Sequence, residues 1–191
     1  MDSKNKILKI IMEDPEVVTL LKEKYVDEEI WKFCIERDPS LFRKMKRPSY
    51  NVCMHACEVD GSNLRYIKNK FSYITITDVM VYTAVNSNPK SIVYVPKKFL
   101  SEDLKEMAFD KDPSLMKYFD DIRDSYLQKI VCEKPSSIQY IEFPNEELLC
   151  KAIYNDPNVC VYINQLTPRM LKILEEHYPD HYALYSKNYI I

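Results

Sequence analysis

Glycine is nearly missing from this chain. It occurs once, at Gly61, among 191 residues. So little glycine excludes phosphate-cradling glycine loops, hairpins with Asn-Gly or Gly-X turns, and the glycine fingerprint of a dinucleotide-binding turn. Long apolar runs are missing as well. No stretch approaches the ~18 consecutive apolar residues of a membrane span. The opening Met1-Asp-Ser-Lys-Asn-Lys-Ile7 lacks the apolar segment of a signal peptide. Nor is there an excess of either charge. Lys and Arg number 27 against 29 Asp and Glu, a net charge of −2, which argues against bulk electrostatic binding to nucleic acid or to an anionic membrane. The six cysteines show no paired spacing. A chain that is 46% hydrophobic can bury a core without disulfides, so reduced thiols in a cytoplasmic protein are expected.

Proline, by contrast, is abundant, with 11 residues, and its placement carries the pattern. A two-residue phrase recurs at Asp14-Pro15, Asp38-Pro39, Asp60-Gly61, Asn88-Pro89, Asp112-Pro113, Lys134-Pro135, Asp156-Pro157 and Tyr178-Pro179. The intervals are 24, 22, 28, 24, 22, 22 and 22 residues. Asp or Asn is a favoured N-cap, and Pro suits the first helical position, where no N–H is needed. Each phrase therefore starts a helix, here termed A.

Counting from the Pro as zero, positions +3 and +6 are apolar almost throughout. Phe42 and Met45, Ile92 and Val95, and Ile138 and Ile141 are examples. Counting back from the Asp, position −4 holds Ala56, Ala84, Ala108 and Ala152 among other small or apolar residues, and −3 and −8 are mostly apolar too. This is a second amphipathic helix, B, with alanine where helices approach closely. Position −11, where B should begin, holds Ser3, Asp27, Ser49, Thr77, Ser101, Asn145 and Thr167, all N-cap residues, with Arg123 the exception. Helices of about 8–10 residues are too short to stand alone. The pattern predicts an all-α fold, an α-solenoid of about eight short helical hairpins with a 22–28-residue repeat, forming one domain over residues 1–191.

The phrase reads Ala-hydrophobic-x-x-Asp/Asn-Pro-x-x-Ile-x-Tyr-Ile, best seen in Ala84–Val95, Ala108–Phe119 and Ala152–Ile163. It resembles a class of short tandem helical repeats, grouped as domains of unknown function, that is frequent in proteins of bacteriophages and giant viruses. The resemblance implies an α-solenoid and no chemistry. By analogy it also implies a viral source and a host-directed role, such as binding and inhibiting or redirecting a host defence, transcription or replication factor in the host cytoplasm.

Candidate contact residues follow from the register. Position +5 of helix A carries Tyr66, Tyr94, Tyr118, Tyr140 and Tyr162 in five consecutive repeats. It lies at the edge of the apolar arc, where a tyrosine keeps its ring buried and its hydroxyl wet. Such a series can line a binding groove, or it can stack between adjacent helices. Position +4 adds Arg43, Arg65 and Lys117 to the exposed centre of A, while helix B exposes Glu29, Glu58, Glu106 and Glu147. The longest interval extends one A-to-B loop through Lys68, Lys70, Phe71 and Tyr73. Insertions in repeat arrays often map to the binding face, although Phe71 and Ile74 can also tuck over the core.

Cys53-Met-His55-Ala-Cys57 has the look of a metal motif, but both cysteines fall on the core face and no second ligand pair accompanies them. Cys132 and Cys150 fall on the exposed face of B. No metal, cofactor or catalytic constellation is expected. The leading expectation is a non-catalytic protein-binding repeat module. The alternative is a single-stranded nucleic-acid reader with one Tyr per repeat stacking on a base, which the net charge and the acidic B face disfavour.

Overall fold

The computed structural model describes residues 3–22 and 25–188. Every regular element among them is helical, and there is no strand. No helix among them is long and apolar enough to cross a membrane. The chain divides into two compact units, residues 1–108 and 109–191, with the division inside helix α6.

In the first unit the B helices are α1 (Ser3–Glu13), α2 (Glu28–Arg37), α3 (Tyr50–Val59), α5 (Asp78–Ser87) and the start of α6 (Glu102–Lys111). Consecutive members pack side by side, α2 on α3 and α3 on α5. In the second unit α7 (Asp124–Glu133), α8 (Glu146–Asn155) and α9 (Pro168–His177) pack in the same serial way, and the last A element, α10 (Pro179–Tyr185), closes on α9. This is the all-α repeat fold expected from the register. The caps fall where the sequence places them. Asp27, Ser49, Thr77, Ser101, Asn145 and Thr167 each accept the backbone N–H three residues on, at 2.9–3.4 Å. Arg123 makes no such bond, and Ser3 is itself the first residue of α1.

The A elements depart from expectation. Five of them, Pro39–Lys44, Pro89–Tyr94, Pro113–Tyr118, Pro135–Tyr140 and Pro157–Tyr162, are six-residue 3₁₀ helices, as is Pro15–Leu20. The third continues as an α-helix, with Gly61–Asn63 leading into α4 (Leu64–Asn69), and the last, α10, is α-helical from its first residue. The phrase residue explains the switch. Asp38 ends α2 by donating its N–H to the Cys34 carbonyl (2.9 Å) and starts the 3₁₀ turn by accepting from the Leu41 N–H (3.0 Å). Its carboxylate accepts the Ser40 N–H at 2.9 Å. The following Pro holds Asp38 in an extended conformation, φ −139° and ψ 94°, as pre-proline sterics require. The same arrangement recurs at Asp14, Asn88, Asp112 and Asp156.

With three residues per turn, +2 lies in line with +5 and +3 with +6. Positions +2 and +3 supply buried side chains: Leu41 and Phe42, Ser91 and Ile92, Leu115 and Met116, Ser137 and Ile138, Val159 and Cys160. Ala56, Ala84, Ala108 and Ala152 are wholly buried on the B side. Each large apolar residue buried in this way contributes roughly 1.5–3 kcal/mol, which ten-residue helices need in order to persist.

Candidate partner-binding surface

Tyr94, Tyr118, Tyr140 and Tyr162 are each the last residue of a 3₁₀ segment, whereas Tyr66 lies within α4. The two units use them differently.

In the first unit Tyr66 and Tyr94 are half-buried. Arg65 binds the first: its guanidinium lies 4.5 Å over the Tyr66 ring and donates to the Tyr66 hydroxyl. The neighbouring hydroxyl of Tyr94 also favours the charged form of Arg65. In the second unit Tyr118 is 59% exposed and Tyr162 47%, with Tyr140 half-buried between them in sequence. Lys117 sits 5.0 Å over the Tyr118 ring. Among the described residues the hydroxyls of Tyr118, Tyr140 and Tyr162 make no hydrogen bond. Arg43 and Lys117 are exposed.

The long loop is clasped onto the preceding repeat. Phe71 is fully buried, with its ring edge-on to Phe42 at 5.3 Å. It is a core anchor, and its expected role as a contact residue is corrected. The six residues between it and α5 (Asp78–Ser87) need such an anchor to hold their course. Lys70 donates to the carbonyls of Arg43 (2.5 Å) and Met45 (2.9 Å) at the end of the second A element. Tyr73 donates its hydroxyl to the Pro48 carbonyl at 2.9 Å while leaving 55% of its surface exposed. Lys68 is exposed and lines a cavity of about 260 Å³ together with Ile67, Ile74, Ile76, Pro96 and Phe99.

Comparison with protein-family models, with curated proteins and with solved structures finds no match.

The cysteines are core residues with one exception. Cys53 and Cys57 are wholly buried, and burial pushes each thiol up to about 12. Burial likewise raises Cys34 and Cys160 to about 11. Cys150, expected on the exposed face, is 5% exposed, because its side of α8 is covered. Cys132 is exposed as expected. His55, between the two core cysteines in sequence, points away from them, with Nε2 3.2 Å from Glu36 and Nδ1 3.6 Å from Glu58. Among the described residues no group of three or more His, Cys, Asp or Glu is placed to hold a metal ion.

One exposed aromatic escapes the register, and one exposed apolar residue falls where the register puts it. Phe143, in the loop before α8, is 86% exposed, and Val161 at +4 is 68% exposed. Both lie in the second unit, near the chain positions of Tyr140 and Tyr162. The visible signal is an aromatic residue beside Pro144 in a segment that the repeat pattern leaves unassigned.

Proposed function

We propose that the chain is a non-catalytic helical-repeat module that binds a partner protein through the ends of its A elements and the adjoining A-to-B loops. The observation that carries this reading is the pair of exposed rings, Tyr118 and Tyr162, each on the last residue of a short 3₁₀ segment whose other face is locked into the core. A large aromatic ring on a rigid support loses little conformational entropy on binding, and Tyr is enriched among interface hot spots. Phe143 and Val161 are further exposed apolar side chains of the same unit, at 86% and 68%.

The test is affinity capture from the native host with the full chain as bait, compared with the double variant Tyr118→Ala/Tyr162→Ala. The variant should keep the wild-type thermal midpoint and lose the specific partner bands identified by mass spectrometry. Equal capture by both proteins overturns the reading. Tyr66→Ala serves as contrast, because it removes a ring that Arg65 stacks on and should lower the midpoint.

A further inference from the structure

Charge is distributed unevenly over the first unit in a way that net charge conceals. Residues 39–49 contain Arg43, Lys44, Lys46 and Arg47 and no acid. Residues 61–77 contain Arg65, Lys68 and Lys70 and no acid. Residues 89–101 contain Lys90, Lys97 and Lys98 and no acid. These are the A elements and A-to-B loops of three successive repeats. The loops adjoin one another: Lys70 and Tyr73 bond to carbonyls of residues 43–48, and residues 96–99 line one cavity with residues 67–76. The result is a basic strip along one edge of this unit, relieved by the Lys44–Glu16 pair at 2.8 Å.

The cavity on that strip, about 260 Å³, is floored by Ile67, Ile74, Ile76 and Phe99, and exposed Lys68 and Lys98 also line it. It is smaller than the ~300–1,000 Å³ of drug-sized sites, and suits one or two apolar side chains. Base stacking is poorly served here. The Tyr66 ring is covered by Arg65 at 4.5 Å, the Phe99 ring by Lys98 at 4.6 Å, and Phe71 is buried. Nucleic-acid grooves that lack sequence preference rely on free aromatic faces.

We propose that this basic strip docks an acidic peptide segment of the partner, with an aliphatic or aromatic side chain seated in the cavity between Lys68 and Lys98 and flanking carboxylates on Lys68, Lys97 and Lys98. The proposal rests on the protein-binding reading above and names the chemistry of the partner. Like-charge exclusion along the strip would also reject basic segments.

The test uses the full chain and fluorescence anisotropy with four probes: an Asp/Glu peptide with interspersed Leu and Phe, its Asn/Gln counterpart, oligo-glutamate, and oligo-dT of equal length. The acidic–apolar peptide should bind best, with the other three at least about tenfold weaker, and its affinity should fall with added salt. Lys68→Glu/Lys98→Glu, and separately Lys97→Glu/Lys98→Glu, should each weaken it at least about tenfold with an unchanged circular dichroism spectrum. Unchanged affinity in both charge-reversed variants overturns the proposal. So does oligo-glutamate binding as tightly as the apolar-containing peptide, which would leave the cavity without a part. Tighter binding of oligo-dT overturns it in favour of a nucleic-acid strip. Failure here leaves the Tyr118/Tyr162 capture result standing, because that experiment uses neither the peptide nor the first-unit lysines.

Discussion

Gly61 is the residue at which the repeat pattern misleads most. Seven phrases carry Pro at this position, so consensus reasoning would replace the glycine and expect a gain. The geometry says the reverse. A Cβ built on Gly61 would lie 1.8 Å from the Ala84 carbonyl oxygen and 2.6 Å from its carbonyl carbon, both backbone atoms of α5. Its φ is not positive, so the glycine is there for close approach and not for a left-handed turn. Gly61→Ala and the consensus-restoring Gly61→Pro should both destabilise, by at least the ~1–3 kcal/mol typical of overpacking, read as a lower urea midpoint at unchanged slope. A midpoint equal to or above wild type for Gly61→Pro would show that α5 can retreat. The small residue at −4 was legible as a site of close helix approach. What it approaches was not, because sequence shows spacing along one helix and not the neighbour across from it.

At the scale of the element, the B helices could be read nearly to their ends, since ten-residue amphipathic runs bounded by Ser, Thr, Asp or Asn leave little freedom. The A elements could not be typed. Apolar residues at +2, +3 and +6 satisfy a period of 3.0 as well as 3.6, and the opening Asp-Pro phrase caps either. The cap itself has a measurable signature at Asp60. Burial alone would raise this carboxyl, but hydrogen bonds from the Ser62 hydroxyl and N–H and from the Asn88 side chain outweigh it and hold the group below its usual value. A carboxyl with a depressed folded-state value stabilises above the unfolded value of about 3.9, and that stability is lost as pH falls through the folded value. Asp60→Asn keeps an oxygen for the Ser62 N–H and removes the titration. The stability difference between wild type and Asp60→Asn, measured by urea unfolding, should therefore shrink in favour of the variant as pH drops from 6 to below about 3.5. The amount should be under about 1 kcal/mol, because water screens a carboxylate that is only partly covered. A pH-independent difference would assign the shift elsewhere.

For the molecule as a whole, the sequence yielded the repeat number and the all-helical class, while the surface pattern emerged only when the loops were seen to adjoin. Arg43, Arg65, Lys68 and Lys70 were identifiable one at a time. Lys46, Arg47, Lys97 and Lys98 were not, because they sit in A-to-B loops without the insertion that singled out Lys68 and Lys70. The net charge of −2 and a pI near 6.0 would place this protein on an anion exchanger at neutral pH. Those averages hide 18 basic against 16 acidic residues in positions 1–108 and 9 against 13 in positions 109–191. Adsorption responds to the densest patch within a Debye length, about 10 Å at 0.1 M salt, and not to the average. The full chain at pH 7 and low salt should therefore be retained on a cation-exchange resin despite its net negative charge, and should elute as ionic strength passes roughly 0.1–0.3 M. Lys68→Glu/Lys97→Glu/Lys98→Glu, altering three exposed side chains, should pass through unretained. Removing three scattered cations from the second unit, Lys117→Glu/Lys129→Glu/Lys172→Glu, changes net charge by the same amount and should leave the first-unit patch able to hold the resin. If both triple variants flow through alike, average charge governs the surface and the strip has no separate electrostatic identity.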